Sequence, residues 1–206
     1  KEKNLLCELD FKDFTCVKYI NKEFISFIKD KSLILYNIKS KESNILVSNI
    51  IGDYSYSQDT FKIYYADEYN KIYELNLANM EIKEIDLGYN PKISKNGKVI
   101  AYRKVNTAKS CIVIRNIEDG NTFEKNIGPS KYLLSPDGKY LLMVKYEDKN
   151  VLNVLSFYFY AMLDYIFDSD YCYLGEELVI YDYQNEKSLV LLKRYSTLNF
   201  QTLDWI

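Results

Sequence analysis

Few side chains in this sequence are equipped for covalent chemistry. Four cysteines, Cys7, Cys16, Cys111 and Cys172, are its only thiols, and the 206 residues contain no histidine. Without an imidazole the chain cannot build a Ser-His-Asp or Cys-His nucleophile pair, a His-ligated zinc site or the usual pH switch near neutrality. No Cys-x-x-Cys pair occurs, which argues against a thiolate metal cluster and for cysteines that serve as small buried apolar residues. The Gly-x-Ser-x-Gly elbow of serine hydrolases is missing as well. Asp164, Asp168 and Asp170 are close in sequence, but they lack the spacing and the glycine of a calcium loop, so a solvated acidic turn is expected there. The expectation is a protein with no catalytic residue, no cofactor and no metal of its own.

Charge and composition narrow the classes further. There are 27 basic and 29 acidic side chains, and the balance excludes the concentrated basic face of a nucleic-acid binder. With 48% hydrophobic and 27% charged residues the chain is expected to fold. Its 21 Tyr and 10 Phe beside 7 Gly and 3 Pro favour pleated, half-buried strands. The longest uncharged stretch runs from Asn150 to Leu163, short of the roughly 20 apolar residues needed to span a bilayer. Membrane association is therefore expected only through an anchor outside this chain. The chain opens on Lys1 rather than methionine, as a processed or trimmed N-terminus would.

These residues must be positioned by repeating elements. An apolar strand that closes on Asn or Asp occurs four times: Leu33–Ile38, Ile72–Leu77, Val113–Ile117 and Leu178–Tyr183. The Asn/Asp positions are 37, 76, 116 and 182, giving steps of 39, 40 and 66 residues, the last being one period plus about 26. A second strand precedes each: Phe24–Phe27, Phe61–Tyr65, Lys98–Tyr102 and Lys139–Val144. Polar turns introduce them, and Ser94-Lys95-Asn96-Gly97 and Ser135-Pro136-Asp137-Gly138 have hairpin chemistry, since Asn-Gly and Asp-Gly tolerate positive φ. A further strand per unit is expected at Ser43–Val47, Glu81–Ile85, Thr122–Lys125 and Leu189–Leu192. Four short strands per period of about 40 residues favour an all-β propeller over a sandwich with evenly spaced hairpins. The expected units are 14–50, 51–88, 89–128 and 129–195.

The segment Tyr132–Leu141, centred on Ser135-Pro136-Asp137-Gly138, resembles the blade signature of TolB-like, WD-repeat-like propellers. Ile93–Tyr102 is a weaker copy, with Lys95-Asn96 where that family favours Pro-Asp, and the first two units keep only the hydrophobic frame. The resemblance implies a structural turn role for Ser135, Pro136, Asp137 and Gly138, with Asn96 and Gly97 in the matching turn. It also implies an extracytoplasmic location, and the Lys-, Asn-, Ile- and Tyr-rich composition is that of an AT-rich bacterial genome. Residues 199–206 resemble the start of a further blade, to which Leu5–Leu9 would add an outer strand. A closed ring, a piece of a larger propeller and an open stack completed by a partner all remain open.

The excess in the fourth unit, about 148–174, is apolar on two faces if helical. Its aromatic residues Phe157, Tyr158, Tyr160 and Tyr165 are the candidate partner surface, and a homo-oligomer through this insertion is one expectation. A long hairpin folded back on its own blade is the other. The functional expectation is a non-catalytic binding or sensor domain for a protein or peptide. Its alternatives are the gating propeller of a prolyl-oligopeptidase-type peptidase whose hydrolase domain is elsewhere, and a component of a larger assembly.

Overall fold

Residues 14–104, 111–126, 130–146 and 176–194 are described by the structure, a computed structural model, and every regular element among them is a strand. The first sheet contains β1 (Phe14–Tyr19), β2 (Phe24–Lys29), β3 (Ser32–Asn37) and β4 (Ser43–Val47). The second contains β5 (Ile50–Ser57), β6 (Lys62–Asp67), β7 (Lys71–Asn76) and β8 (Ile82–Leu87). The third contains β9 (Tyr89–Ile93), β10 (Val99–Arg103), β11 (Cys111–Asn116) and β12 (Thr122–Asn126). The fourth contains β13 (Ser130–Leu134), β14 (Tyr140–Tyr146), β15 (Glu176–Asp182) and β16 (Lys187–Arg194). Each is a four-stranded antiparallel meander in sequence order, and between sheets the first strands touch: β1 with β5, β5 with β9, β9 with β13.

The second strand of each sheet carries an unbroken buried run: Ser26–Ile28, Ile63–Ala66, Ile100–Tyr102 and Leu141–Val144. Alternate side chains leave opposite faces of a strand, so a continuous buried run means that both faces are covered. Three apolar clusters cover the faces that adjacent sheets turn to one another. Ile28 and Leu33 meet Ile50, Tyr54, Ile63, Tyr65 and Leu75 between the first and second sheets. Tyr64, Ala66 and Ile72 meet Ile100, Tyr102 and Val113 between the second and third. Ala101, Ile112 and Ile114 meet residues of the fourth, including Leu134, Leu141, Met143 and Val179. The outermost strands are wetter, with Ile45, Ile82, Leu87 and Leu189 about half exposed or more.

The recurring Asn/Asp at 37, 76, 116 and 182 has a physical explanation. Each sits at the end of a sheet's third strand, where its side-chain oxygen accepts a backbone N–H in the turn that follows. The donors are Lys39 at 2.9 Å, Ala78 at 2.9 Å, Glu118 at 2.9 Å and Asn185 at 3.0 Å. Four residues on, each turn closes through positive φ, at Lys41 (61°), Met80 (61°), Gly120 (74°) and Glu186 (52°).

The turns before β10 and β14 share one hydrogen-bond pattern. The Ser135 hydroxyl donates to Asp137 Oδ1 at 2.6 Å and accepts the Tyr140 amide at 2.9 Å, while Asp137 Oδ1 accepts the Lys139 amide at 3.1 Å. Ser94, Asn96, Lys98 and Val99 repeat these bonds at 2.7, 3.0 and 3.0 Å. The Ser135 hydroxyl and the Lys139 amide hold the Asp137 carboxyl below its ordinary value. Gly138 has φ 76°, and a Cβ there would lie 2.9 Å from Val99 Cγ2 of the preceding sheet. Gly97, at φ 72°, would meet Thr60 and Ser57 in the same way. Gly138→Ala is therefore expected to cost about 3 kcal/mol, the left-handed penalty plus the clash with the neighbouring blade. Gly120→Ala, with nothing closer than 3.9 Å, is expected to cost about 1 kcal/mol. Urea unfolding of the two variants checks the ranking.

Candidate functional site

The four first strands converge, and polar contacts tie them to one another. Asp53 on β5 lies between Lys18 on β1, at 3.3 Å, and Lys92 on β9, with which it also makes a short ion pair. Its Oδ1 accepts the Tyr54 amide at 2.8 Å. The Lys18 ammonium lies 5.0 Å from the centroid of the Tyr54 ring, whose hydroxyl shares a 2.6 Å hydrogen bond with Ser26. Between the second and third blades the Ile93 amide donates to the Ser55 hydroxyl at 3.0 Å. Between the third and fourth, the Tyr132 hydroxyl donates to the Asn90 carbonyl at 2.6 Å, with Arg103 above the Tyr132 ring. One carboxylate thus links three blades.

Burial pulls the Asp53 carboxyl up, but the ammonium groups of Lys92 and Lys18 outweigh it and hold the group below its ordinary value. Cys16 is raised, first by burial and then by the charge of Asp53, and Cys111 is raised by burial and by Glu124. Both described cysteines are free thiols in settings that keep them protonated, so neither is activated as a nucleophile. Among the described residues no group of His, Cys, Asp and Glu is arranged to hold a metal ion. No helix among them is long and apolar enough to cross a membrane.

At the C-terminal ends of the same strands lies an open cleft of about 380 Å³, lined by Tyr19, Tyr56, Gln58, Ile93, Lys95, Leu133, Leu134 and Pro136. All four blades contribute to it. Ile93 and Leu133 are half-buried and Leu134 is buried, while Tyr19, Gln58, Lys95 and Pro136 are exposed around them. The Tyr56 hydroxyl is buried with no hydrogen-bond partner among the described residues. The backbone beside the cleft is pinned, because the Lys95 carbonyl accepts the Ser57 hydroxyl at 2.9 Å and the Asp59 amide at 3.4 Å.

The structure places Ser135, Asp137, Gly138, Asn96 and Gly97 in the turns around this cleft, with Pro136 on its wall. The Asn96 side-chain amide donates to the Asp137 carbonyl at 3.3 Å, joining the two turns. Phe157, Tyr158, Tyr160 and Tyr165, like the carboxylates at 164, 168 and 170, lie outside the described residues, as do Cys7 and Cys172. Sequence reasoning passed over Lys18, Asp53, Lys92, Tyr19 and Tyr56, and read Lys95 only as a turn residue. The available signal was periodic: Tyr19, Tyr56 and Ile93 are spaced by 37 residues, and each precedes a turn into a second strand.

No family model and no curated protein matches this sequence. Solved structures do. TolB from Acinetobacter baumannii superposes with a TM-score of 0.57 at 14% identity, over 82% of this chain and 41% of that one. The β-propeller domain of the Trilobed protease from Pyrococcus furiosus, described as having an open velcro topology, gives 0.57 at 13%, over 87% and 57%. The Cps50 (Swd1) propeller domain of Myceliophteria thermophila gives 0.56 at 13%, over 94% and 58%. The fold is a β-propeller. The described residues form four of its blades, and the chain spans about half the length of the propeller chains it matches.

The Asp53 geometry gives a test with a definite sign. A carboxyl depressed in the folded state contributes stability above its unfolded pKa, and that contribution is lost as pH falls through the folded value. Asp53→Asn is expected to lose about 2 kcal/mol near pH 7 by leaving two half-buried cations facing each other. The gap between variant and wild type should narrow below about pH 4. Urea midpoints across this range measure it, and a gap independent of pH would overturn the assignment.

Proposed function

We propose that this chain is a non-catalytic propeller-type binding domain that recognises a protein or peptide partner at the mouth where its four inner strands converge. The observation that carries the reading is the cleft itself. It has an apolar floor, two tyrosines on its walls and a polar rim, and it opens on the side where the blade turns are locked together. Recognition sites combine apolar and aromatic area with a few placed polar groups, and their residues are held by a rigid scaffold. Tyrosine suits this role, since it presents a flat apolar ring with a polar tip. The protonated thiols and the histidine-free sequence support a role without catalysis. An extracytoplasmic setting belongs to the same proposal and rests on the TolB-like blade signature at Ser135–Gly138. A homo-oligomeric contact through residues 148–174 would lie outside the described residues and plays no part in this reading.

Selection of short random peptides on the immobilised protein is expected to enrich binders whose affinity falls about tenfold on Tyr19→Ala, the loss of an exposed aromatic anchor. Anisotropy titration of the enriched peptides against both proteins measures it. Enriched peptides that bind Tyr19→Ala as tightly as the parent would move recognition away from the mouth.

A further inference from the structure

The rim of the second blade differs in kind from that of the blades beside it. Backbone hydrogen bonds identify the equivalent positions. The Phe61 carbonyl accepts the Leu77 amide at 3.0 Å, as Glu23 accepts Ile38 at 2.7 Å and Lys98 accepts Ile117 at 2.8 Å. The Met80 amide donates to the Asn76 carbonyl at 2.8 Å, as Lys41 donates to Asn37 and Gly120 to Asn116. The Asn76 amide donates to Glu81, as Asn37 does to Glu42 and Asn116 to Asn121, so Ile82 answers to Ser43 and Thr122. The first blade thus carries Glu23, Lys41 and Ser43 here, and the third carries Lys98, Gly120 and Thr122. The second carries Phe61, Met80 and Ile82, which are 49%, 50% and 47% exposed. Two of these are also strained. Phe61 has φ 55° and Met80 has φ 61°, in the left-handed region that bulky side chains disfavour. In the third and fourth blades the left-handed residue of the turn before the second strand is glycine, Gly97 or Gly138. The β-branched Thr60 stands at that place in the second blade, and the left-handed conformation passes to Phe61.

Phe61 directly precedes β6, Leu77 directly follows β7, and Met80 and Ile82 stand where β8 begins, all at one end of the sheet. Two strand spacings, about 10 Å, separate the first from the last. Half-buried Leu77, at the edge of the cluster between the first and second blades, lies between them. Three half-exposed side chains offer on the order of 300 Å² of apolar surface, against about 800 Å² per partner in a stable interface between folded proteins. That area suits a short segment and not a second copy of this chain. Carboxylates flank it. Asp59, two residues before Phe61, and Glu81, between Met80 and Ile82, are exposed and make no ion pair among the described residues. Glu81 accepts the Asn79 side-chain amide at 3.2 Å. Lys62, next to Phe61, is already paired with Glu74 at 2.6 Å, and Lys95 lines the cleft. We propose that this rim docks a short polypeptide segment that is apolar at its centre and basic at its flanks. Phe61, Met80 and Ile82 take the apolar centre, and Asp59 and Glu81 take the flanking ammonium or guanidinium groups. Exposed apolar side chains kept in a strained conformation do not serve folding, which is the mark of residues held for a contact. The surface is separate from the cleft and stands without it.

The test uses three pools of fluorescently labelled octapeptides, titrated by anisotropy. The first has four central residues drawn from Leu, Ile, Phe and Met between paired lysines. The second has the same centre between paired glutamates, and the third has a serine centre between paired lysines. The first pool is expected to bind at least about tenfold more tightly than either of the others. Phe61→Asn and Met80→Asn should each weaken it about tenfold. Asp59→Asn combined with Glu81→Gln should abolish its advantage over the second pool. Asparagine accepts the left-handed conformation more readily than Phe or Met, so both asparagine variants are expected to melt no lower than the parent. That separates lost binding from lost folding. Tyr19→Ala, at the cleft, is expected to leave this binding unchanged. A lower melting temperature in either asparagine variant would make that side chain a packing residue and overturn the proposal, as would equal binding of the lysine and glutamate pools. Binding that survives both asparagine variants but is lost in Tyr19→Ala would overturn the rim and leave the cleft reading standing.

Discussion

No blade of this protein can be stable alone, because its second strand is apolar on both faces. Ile63, Tyr64, Ile100 and Ala101 are fully buried, and they lie on second strands with a sheet packed on each side. Burying an isoleucine side chain is worth about 1.5–3 kcal/mol, so the contacts between blades hold a large part of the folding free energy. Everything else follows from that stacking. First strands converge because the sheets must pack face to face, turns must interlock where they meet, and polar groups trapped between blades must find partners there.

The partners between blades differ from place to place. Near the inner strands Asp53 answers two lysines from two different sheets. Further out, the Asp86 carboxylate takes the Tyr102 hydroxyl at 2.5 Å and the Arg115 guanidinium at 2.8 Å across the interface of the second and third blades. Burial raises Asp86, while Tyr102 and Arg115 bring it below its ordinary value. Glu74, on the face turned to the third blade, accepts Tyr64 at 2.6 Å and Lys62 at 2.6 Å. Each of these carboxylates has more than one donor, as a desolvated charge requires. Such contacts fix how one blade sits on the next more tightly than apolar area alone, which tolerates sliding.

How much of this was legible depended on which strand was being read. The second and third strands were plain from apolar runs and from the Asn or Asp that ends each third strand, and Ser43–Val47 was placed to the residue as β4. The inner strands were harder, because β5 contains Gly52-Asp53 and β9 contains Asn90-Pro91-Lys92, sequences that read as loops. Their charges are explained only by a neighbouring blade, and Lys18 and Lys92 stand 35 and 39 residues from their carboxylate. The cleft was invisible for the same reason, since its lining comes from every blade and no single repeat contains it.

The turns that follow each third strand have a consequence for how the molecule can change. A side-chain oxygen at Asn37, Asn76, Asn116 or Asp182 sets the direction of the chain, so glycine is not required four residues later. Lys41, Met80, Gly120 and Glu186 occupy that place, and three of them accept a left-handed conformation that costs about 1–2 kcal/mol. A basic, an apolar, a bare and an acidic residue at one geometric position means that the outer rim can exchange its chemistry without redirecting the backbone. The propeller thereby separates what must stay constant, near its axis, from a periphery free to diversify.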